Sequence, residues 1–149
     1  MTENFVWNPV GTRLATPEEF EQRVKHRLQA PRTMPTGKQP ERGSVCLVTT
    51  SNGKVDLDEY GILSGIDDWF FYDCGCVVAW TTFPLFDETK GESAFWHEVK
   101  NGLPSKEGAF LVALSDGKYE VEMFNAQSQA FAQFENVVAW AELPAPYKP

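Results

Sequence analysis

Histidine and cysteine are scarce in this chain, with two of the first and three of the second among 149 residues. Hydrolytic chemistry needs a nucleophile held beside a base, and neither Gly-x-Ser-x-Gly nor His-Glu-x-x-His occurs to supply one. His26 falls on the outer face of an expected helix and His97 in an expected strand, so the sequence points away from an enzyme. Cys46, Cys74 and Cys76 are odd in number and lie in apolar segments, which fits buried thiols in a reducing compartment better than a disulfide framework. Cys74-Gly75-Cys76 lacks the second pair that a zinc site wants, so neither metal nor cofactor is expected.

Long hydrophobic runs are also missing. The longest, such as residues 110–114, have the length of a strand and not of a membrane span. Residues 1–7 carry neither the basic nor the apolar region of a secretion signal, and a soluble protein of the cytoplasm is expected, without membrane partners. Basic residues are outnumbered by acidic ones, 13 to 21, for a net charge of −8. The imbalance is uneven: residues 1–54 hold 8 Lys/Arg against 5 Asp/Glu (+3), and residues 55–149 hold 5 against 16 (−11). An acidic surface repels nucleic acid and attracts basic partners, so direct nucleic-acid binding is not expected.

What the chain does contain is one plan written twice. Residues 40–84 and 104–144 each run from Pro and Gly through an apolar strand, a Ser-x-Gly-Lys turn, a second strand and an aromatic stretch to Val-Val-Ala-Trp-x-x-(Phe/Leu)-Pro. Ser51-Asn52-Gly53-Lys54 answers Ser115-Asp116-Gly117-Lys118, and Val77-Val78-Ala79-Trp80 answers Val137-Val138-Ala139-Trp140. Each copy is a supersecondary unit that needs its neighbour to bury its apolar face. Asn52-Gly53 and Asp116-Gly117 predict two-residue type I′ hairpins. The outgoing strands are apolar on both faces and belong in the centre of a sheet. The return strands alternate, which predicts Val55, Leu57, Tyr119, Val121 and Met123 facing the core and Asp56, Asp58, Glu120 and Glu122 facing solvent.

One helix is signalled. Thr16 is its N-cap, Pro17 its first residue and Glu19 the return half of a capping box, with Phe20, Val24 and Leu28 as an apolar stripe to about Gln29. Residues 31–42, rich in Pro and Gly among basic residues, read as an extended loop. The expectation is an α+β, mainly β fold in a single compact domain, 1–149. Its two small antiparallel units, 5–86 and 94–147, have about four strands each and pack with pseudo-twofold symmetry, the helix and basic loop (16–42) being inserted in the first.

The second unit carries Trp96-His97-Glu98-Val99, Leu103-Pro104, Leu111-Val112, Asp116-Gly117 and Val137-Val138-Ala139-Trp140-Ala141-Glu142-Leu143-Pro144. This resembles the phage and prophage family catalogued as domain of unknown function 551, over residues 95–146 and more loosely over 6–10 and 40–84. Ala79 and Ala139 stand where that family usually has His, so no role of that His carries over. The resemblance implies a dispensable phage or prophage protein in a bacterial cytoplasm and supplies no catalytic residues.

Candidate sites follow from where the copies differ. The copies differ by four residues between the hairpin and Trp80 or Trp140, and counting back from the tryptophans matches Phe71 with Phe131. On that count Trp69, Phe70 and Tyr72 are extra in the first unit. Contiguous aromatics are either core or a partner anchor. Trp69, Phe70, Phe71 and Tyr72, with Asp67, Asp68, Asp56 and Asp58, form the candidate partner-binding set. Carboxylates repeating along a strand at about 6.6–7 Å could instead imitate DNA phosphates in a protein's nucleic-acid channel. Arg23, Arg27, Arg32 and Lys38 form a weaker basic set. The expected function is a non-enzymatic blocker of a host protein, such as one of a bacterial defence system or one that itself binds nucleic acid. The alternatives are the DNA mimic, a homodimerising scaffold, or a small-molecule binder.

Overall fold

Two hairpins built on the Ser-x-Gly-Lys turns organise the chain into two five-stranded antiparallel sheets. The computed structural model describes residues 5–25, 33–63, 66–71 and 76–149, and of Arg23, Thr33, Ile62, Leu63, Ile66 and Asp67 it describes the main chain alone. Strands predominate among the described residues and helix is a minor part, an α+β, mainly β composition. Contacts divide the chain into two compact units, one of residues 5–83 with 145–149, the other of residues 84–144.

The first unit contains β1 (Asn8–Pro9), β2 (Gly11–Leu14), α1 (Pro17–Val24), β3 (Thr33–Thr36), β4 (Ser44–Thr50), β5 (Val55–Leu63), β6 (Ile66–Trp69) and β7 (Val77–Thr81). Its main sheet has the order β1-β7-β4-β5-β6. The second contains β8 (His97–Glu98), a 3-10 turn at Val99–Asn101, β9 (Gly108–Leu114), β10 (Tyr119–Asn125), β11 (Ala130–Phe131) and β12 (Val137–Glu142). Its order, β11-β10-β9-β12-β8, is the same path read from the other edge. The expected four strands become five because a short strand follows each return strand, β6 on β5 and β11 on β10; the Trp-x-x-Val opening segments pair with the Val-Val-Ala-Trp strands, Asn8 opposite Trp80 and His97 opposite Trp140.

Both copies reuse the same local devices. The β4–β5 and β9–β10 turns are three-residue loops and not the expected type I′ turns. Gly53 donates to Thr50 O (2.9 Å) and Gly117 to Leu114 O (3.0 Å), closing four-residue turns, and only the glycines take positive φ (81° and 85°). A type I turn followed by a left-handed glycine fits Asn52 and Asp116 without forcing either to positive φ. The register shifts at Val78 and at Val138, so the second Val of each Val-Val-Ala-Trp strand is a bulge, which bends and twists a strand. Trp80 Nε1 donates to Lys38 O (2.8 Å) and Trp140 Nε1 to Gly102 O (3.0 Å), tying the lead-in to each central strand. β4 and β9 are central as expected, with residues 46–50 and 110–114 buried.

The return strands depart from expectation at three residues, although Val55 is buried as expected. Asp58 and Glu122 are buried, while Met123 is exposed. The register places Asp58 across from Cys46 and Glu122 across from Phe110, with Tyr60 and Phe124 two residues further on the same face. Burying one large aromatic ring per copy decides the orientation, and the acid two residues back turns inward with it.

The helix begins with the expected capping box. Thr16 N donates to Glu19 Oε1 (2.8 Å) and Glu19 N to Thr16 Oγ1 (3.2 Å). Glu19 is also gripped by both terminal nitrogens of Arg13 at 2.8 Å, from β2. Residues 26–30, on which the rest of the expected helix and Leu28 fall, lie outside the described residues. The expected extended loop is in part β3, paired with β2 as an edge ribbon; Pro35 is tolerated at an edge because no ladder amide is required there. The Arg13 bidentate hydrogen bond, with the Thr16 amide, holds the Glu19 carboxyl at about 2. Because the folded value lies below the ordinary one, the stabilisation is present above pH about 4.5 and lost as pH falls toward 2. The α1 amides are therefore expected to exchange faster across that window, and Glu19→Gln to abolish the dependence, as amide exchange by NMR would show.

Candidate functional site

Where the two copies agree, they define a corner; where they differ, the first copy loads it. In each unit the aromatic ring buried on the return strand meets the short fourth strand. Tyr60 lies opposite Trp69 with ring centroids 5.2 Å apart at 68°, and Phe124 opposite Phe131 at 5.1 Å and 62°. The structural counterpart of Phe131 is thus Trp69 and not Phe71. Counting back from Trp80 assigned all the extra residues to one side of the aromatic stretch; two lie in the β5–β6 hairpin and two after Trp69. Trp69 is 1% exposed, and as a partner-contacting residue it is corrected to core. Its buried Nε1 has no hydrogen-bond partner among the described residues.

The two residues beyond Trp69 leave the core. Phe70 is 42% exposed and Phe71 83%. Phe70 N donates to Glu59 O (2.9 Å), and its ring lies over Gly61, where a Cβ would meet Phe70 Cζ at 3.2 Å. Any larger residue at 61 would lift that ring. Phe71 N donates to Asp58 Oδ1 (2.9 Å), which also accepts from Glu59 N (2.7 Å). The second copy has the same clamp: Glu122 Oε1, at the position equivalent to Asp58, accepts from Gln133 N (3.0 Å). There the amides held belong to Ala132 and Gln133, polar or small residues, where the first unit presents two phenylalanines. Val45, opposite Glu59, is also exposed.

The acidic candidates do not form a projecting row. Asp58 and Asp68 are 4% and 2% exposed, and Asp68 Oδ1 accepts from Trp69 N (2.8 Å). Asp56 is half-buried, accepts from Leu57 N (2.8 Å) and has Lys54 Nζ at 3.5 Å. These carboxylates serve main-chain amides, so the reading of Asp56 and Asp58 as solvent-facing phosphate imitators is corrected. The side chain of Asp67 and all of Tyr72 lie outside the described residues. Among the basic candidates, Arg27 and Arg32 also lie outside them, and Arg23 is described only in its main chain. Lys38 is exposed and lends its carbonyl to Trp80.

Burial, and next the Asp58 charge, push the Cys46 thiol up to about 12, so at neutral pH it is not a nucleophile. Cys46 is thus buried as expected, Cys76 is half-buried, and Cys74 lies outside the described residues. Burial raises the Glu122 carboxyl above its ordinary range, against the pull of the Gln133 amide. His97 stacks on Trp140 (4.5 Å) with Nδ1 3.5 Å from Glu92. Among the described residues no group of three or more His, Cys, Asp or Glu is placed to hold a metal ion, and no helix is long and apolar enough to cross a membrane.

The sequence reading missed Gly61 and the clamp role of Asp58. The signal was present: the 64-residue offset of the turns aligns Asp58 with Glu122 and Tyr60 with Phe124. The fold and corner define a tandem of five-stranded antiparallel units with an exposed aromatic pair on the first. Family models, curated proteins and solved structures were each compared with the chain, and none matches.

Proposed function

We propose that this chain is a non-enzymatic accessory protein that binds a bacterial host protein through the Phe70–Phe71 corner and blocks it. The observation that carries this reading is Phe71, 83% exposed yet fixed through its amide to a buried carboxylate. An aromatic residue whose main chain is already fixed by a hydrogen bond presents apolar area at a reduced entropic cost, which is how interface anchors work. The net charge of −8 favours a basic partner, including one that itself binds nucleic acid, and accelerates its approach at low salt. The phage setting, and with it inhibition of a defence system, rests on the resemblance of residues 95–146 alone.

The test is a pull-down from bacterial lysate with the full chain and with Phe71→Ser. Stability should change by less than about 0.5 kcal/mol for a substitution at so exposed a position. The captured partner should be lost. A partner retained in full by Phe71→Ser would sink the reading. Self-association that rises with concentration and disappears in Phe71→Ser would favour the scaffold alternative, which uses the same corner.

A further inference from the structure

A second feature of the first unit is independent of that corner. Residues 145–149, which follow the second unit in sequence, pack with residues 5–83. Among the described residues they form no strand ladder, and two hydrogen bonds join their main chain to the unit. Trp7 Nε1 donates to Ala145 O (3.0 Å), and Tyr147 N donates to the side-chain oxygen of Thr49 (3.0 Å). Thr49 is buried on the central strand β4, where the second copy has Ala113, so the acceptor is particular to this unit. Trp7 has a counterpart in Trp96, whose Nε1 donates to Pro84 O (2.7 Å) just beyond the first Val-Val-Ala-Trp strand. Ala145 stands just beyond the second such strand, after Leu143-Pro144.

Both contacts read peptide groups, one carbonyl and one amide, and neither reads a side chain. The segment they hold is stiffened before it binds. In Leu143-Pro144-Ala145-Pro146-Tyr147-Lys148-Pro149, three residues have φ fixed by proline and three more precede a proline and are driven to extended conformations. Only Tyr147 escapes both constraints, and it supplies the bonding amide. Pro146 and Tyr147 are half-buried while Ala145 and Lys148 are exposed, so the middle of the segment is its most covered part.

We propose that the Trp7–Thr49 slot is a binding site for extended, proline-containing peptides, occupied in this chain by its own residues 145–149. Such a ligand loses little conformational entropy on binding, which lets two hydrogen bonds to its main chain suffice. A partner peptide of this type enters by displacing residues 145–149, and their hold sets the threshold it must exceed.

The experiment uses a synthetic peptide of residues 143–149 as the probe, its affinity read by fluorescence anisotropy. A chain ending at Pro144 should bind it saturably, and the full chain at least about tenfold more weakly because the slot is filled in cis. Trp7→Phe or Thr49→Val in the shortened chain should each weaken binding by about tenfold, the worth of one net hydrogen bond. A shortened chain that keeps its circular dichroism but fails to bind millimolar peptide overturns the proposal, as does binding indifferent to both substitutions. Should the shortened chain not fold, exchange of the Tyr147 amide in the full chain decides. It should be protected, and should lose protection in Thr49→Val and in excess peptide; protection unmoved by either overturns the proposal.

Discussion

Trp69→Ala is expected to destabilise the unit of residues 5–83 by about 3–5 kcal/mol, the cost of emptying a large aromatic site in a packed core. The ring is fully buried, edge-on to Tyr60, in a cluster with Val10, Cys46, Val48, Val77 and Trp80. Two residues away, Phe71→Ala should cost under about 0.5 kcal/mol, because Phe71 is 83% exposed. Urea denaturation followed by tryptophan fluorescence and far-ultraviolet circular dichroism would measure both. Trp69→Phe sharpens the comparison. It introduces the residue that the second copy has at this place, Phe131, and removes a buried N–H that has no partner among the described residues. It should therefore cost well under the alanine value, since the lost ring area is offset by relief of an unsatisfied donor worth about 1–3 kcal/mol. If Trp69→Ala were as mild as Phe71→Ala, the assignment of Trp69 to the core would be wrong.

The second large effect is expected at the buried carboxylates. Asp58→Ala orphans two amides, those of Glu59 and Phe71, and should destabilise by about 2–4 kcal/mol at roughly 1–3 for each unsatisfied group, part of which water recovers. Asp58→Asn keeps one acceptor oxygen and should recover part of the loss. Glu122→Ala releases the Gln133 amide and should cost about 1–3 kcal/mol in the other unit. Amide exchange separates a clamp from a general packing defect. Phe71 in Asp58→Ala and Gln133 in Glu122→Ala should lose protection ahead of the neighbouring ladder amides. Uniform loss across the sheet would refute the clamp. Because Phe71 is also the proposed anchor, Asp58→Asn should weaken partner capture more than it weakens the fold.

The parts of the fold legible in the sequence were those fixed by short-range rules. Thr16 and Glu19 announce a cap because its bonds span three residues, and Gly53 and Gly117 announce hairpins because a left-handed residue is required there. Strands β4 and β9 announce themselves by burying both faces. What escaped depended on partners far along the chain. The strand Thr33–Thr36 hid behind its proline, since only its pairing with Gly11–Leu14 shows that it is an edge. Asp58 and Glu122 looked like the polar half of an alternating strand, and nothing local says that an amide 13 or 11 residues further on will need them. The aromatic stretch was seen as the place where the copies diverge, but the division between buried Trp69 and exposed Phe71 follows from register against Tyr60.

The Trp7 to Ala145 hydrogen bond spans 138 residues, and it makes the first unit discontinuous in sequence, with the whole of 84–144 lying between its parts. During synthesis, residues 5–83 leave the ribosome long before the segment that seats against Trp7 and Thr49 exists. The first unit must therefore wait, with the Thr49 hydroxyl unserved by Tyr147, while the second is made. Closing so long a loop adds little entropic cost beyond a shorter one, but it fixes an order of events. The unit that begins first is completed last, and a nascent chain stalled before residue 145 exposes the slot to whatever extended peptide is near.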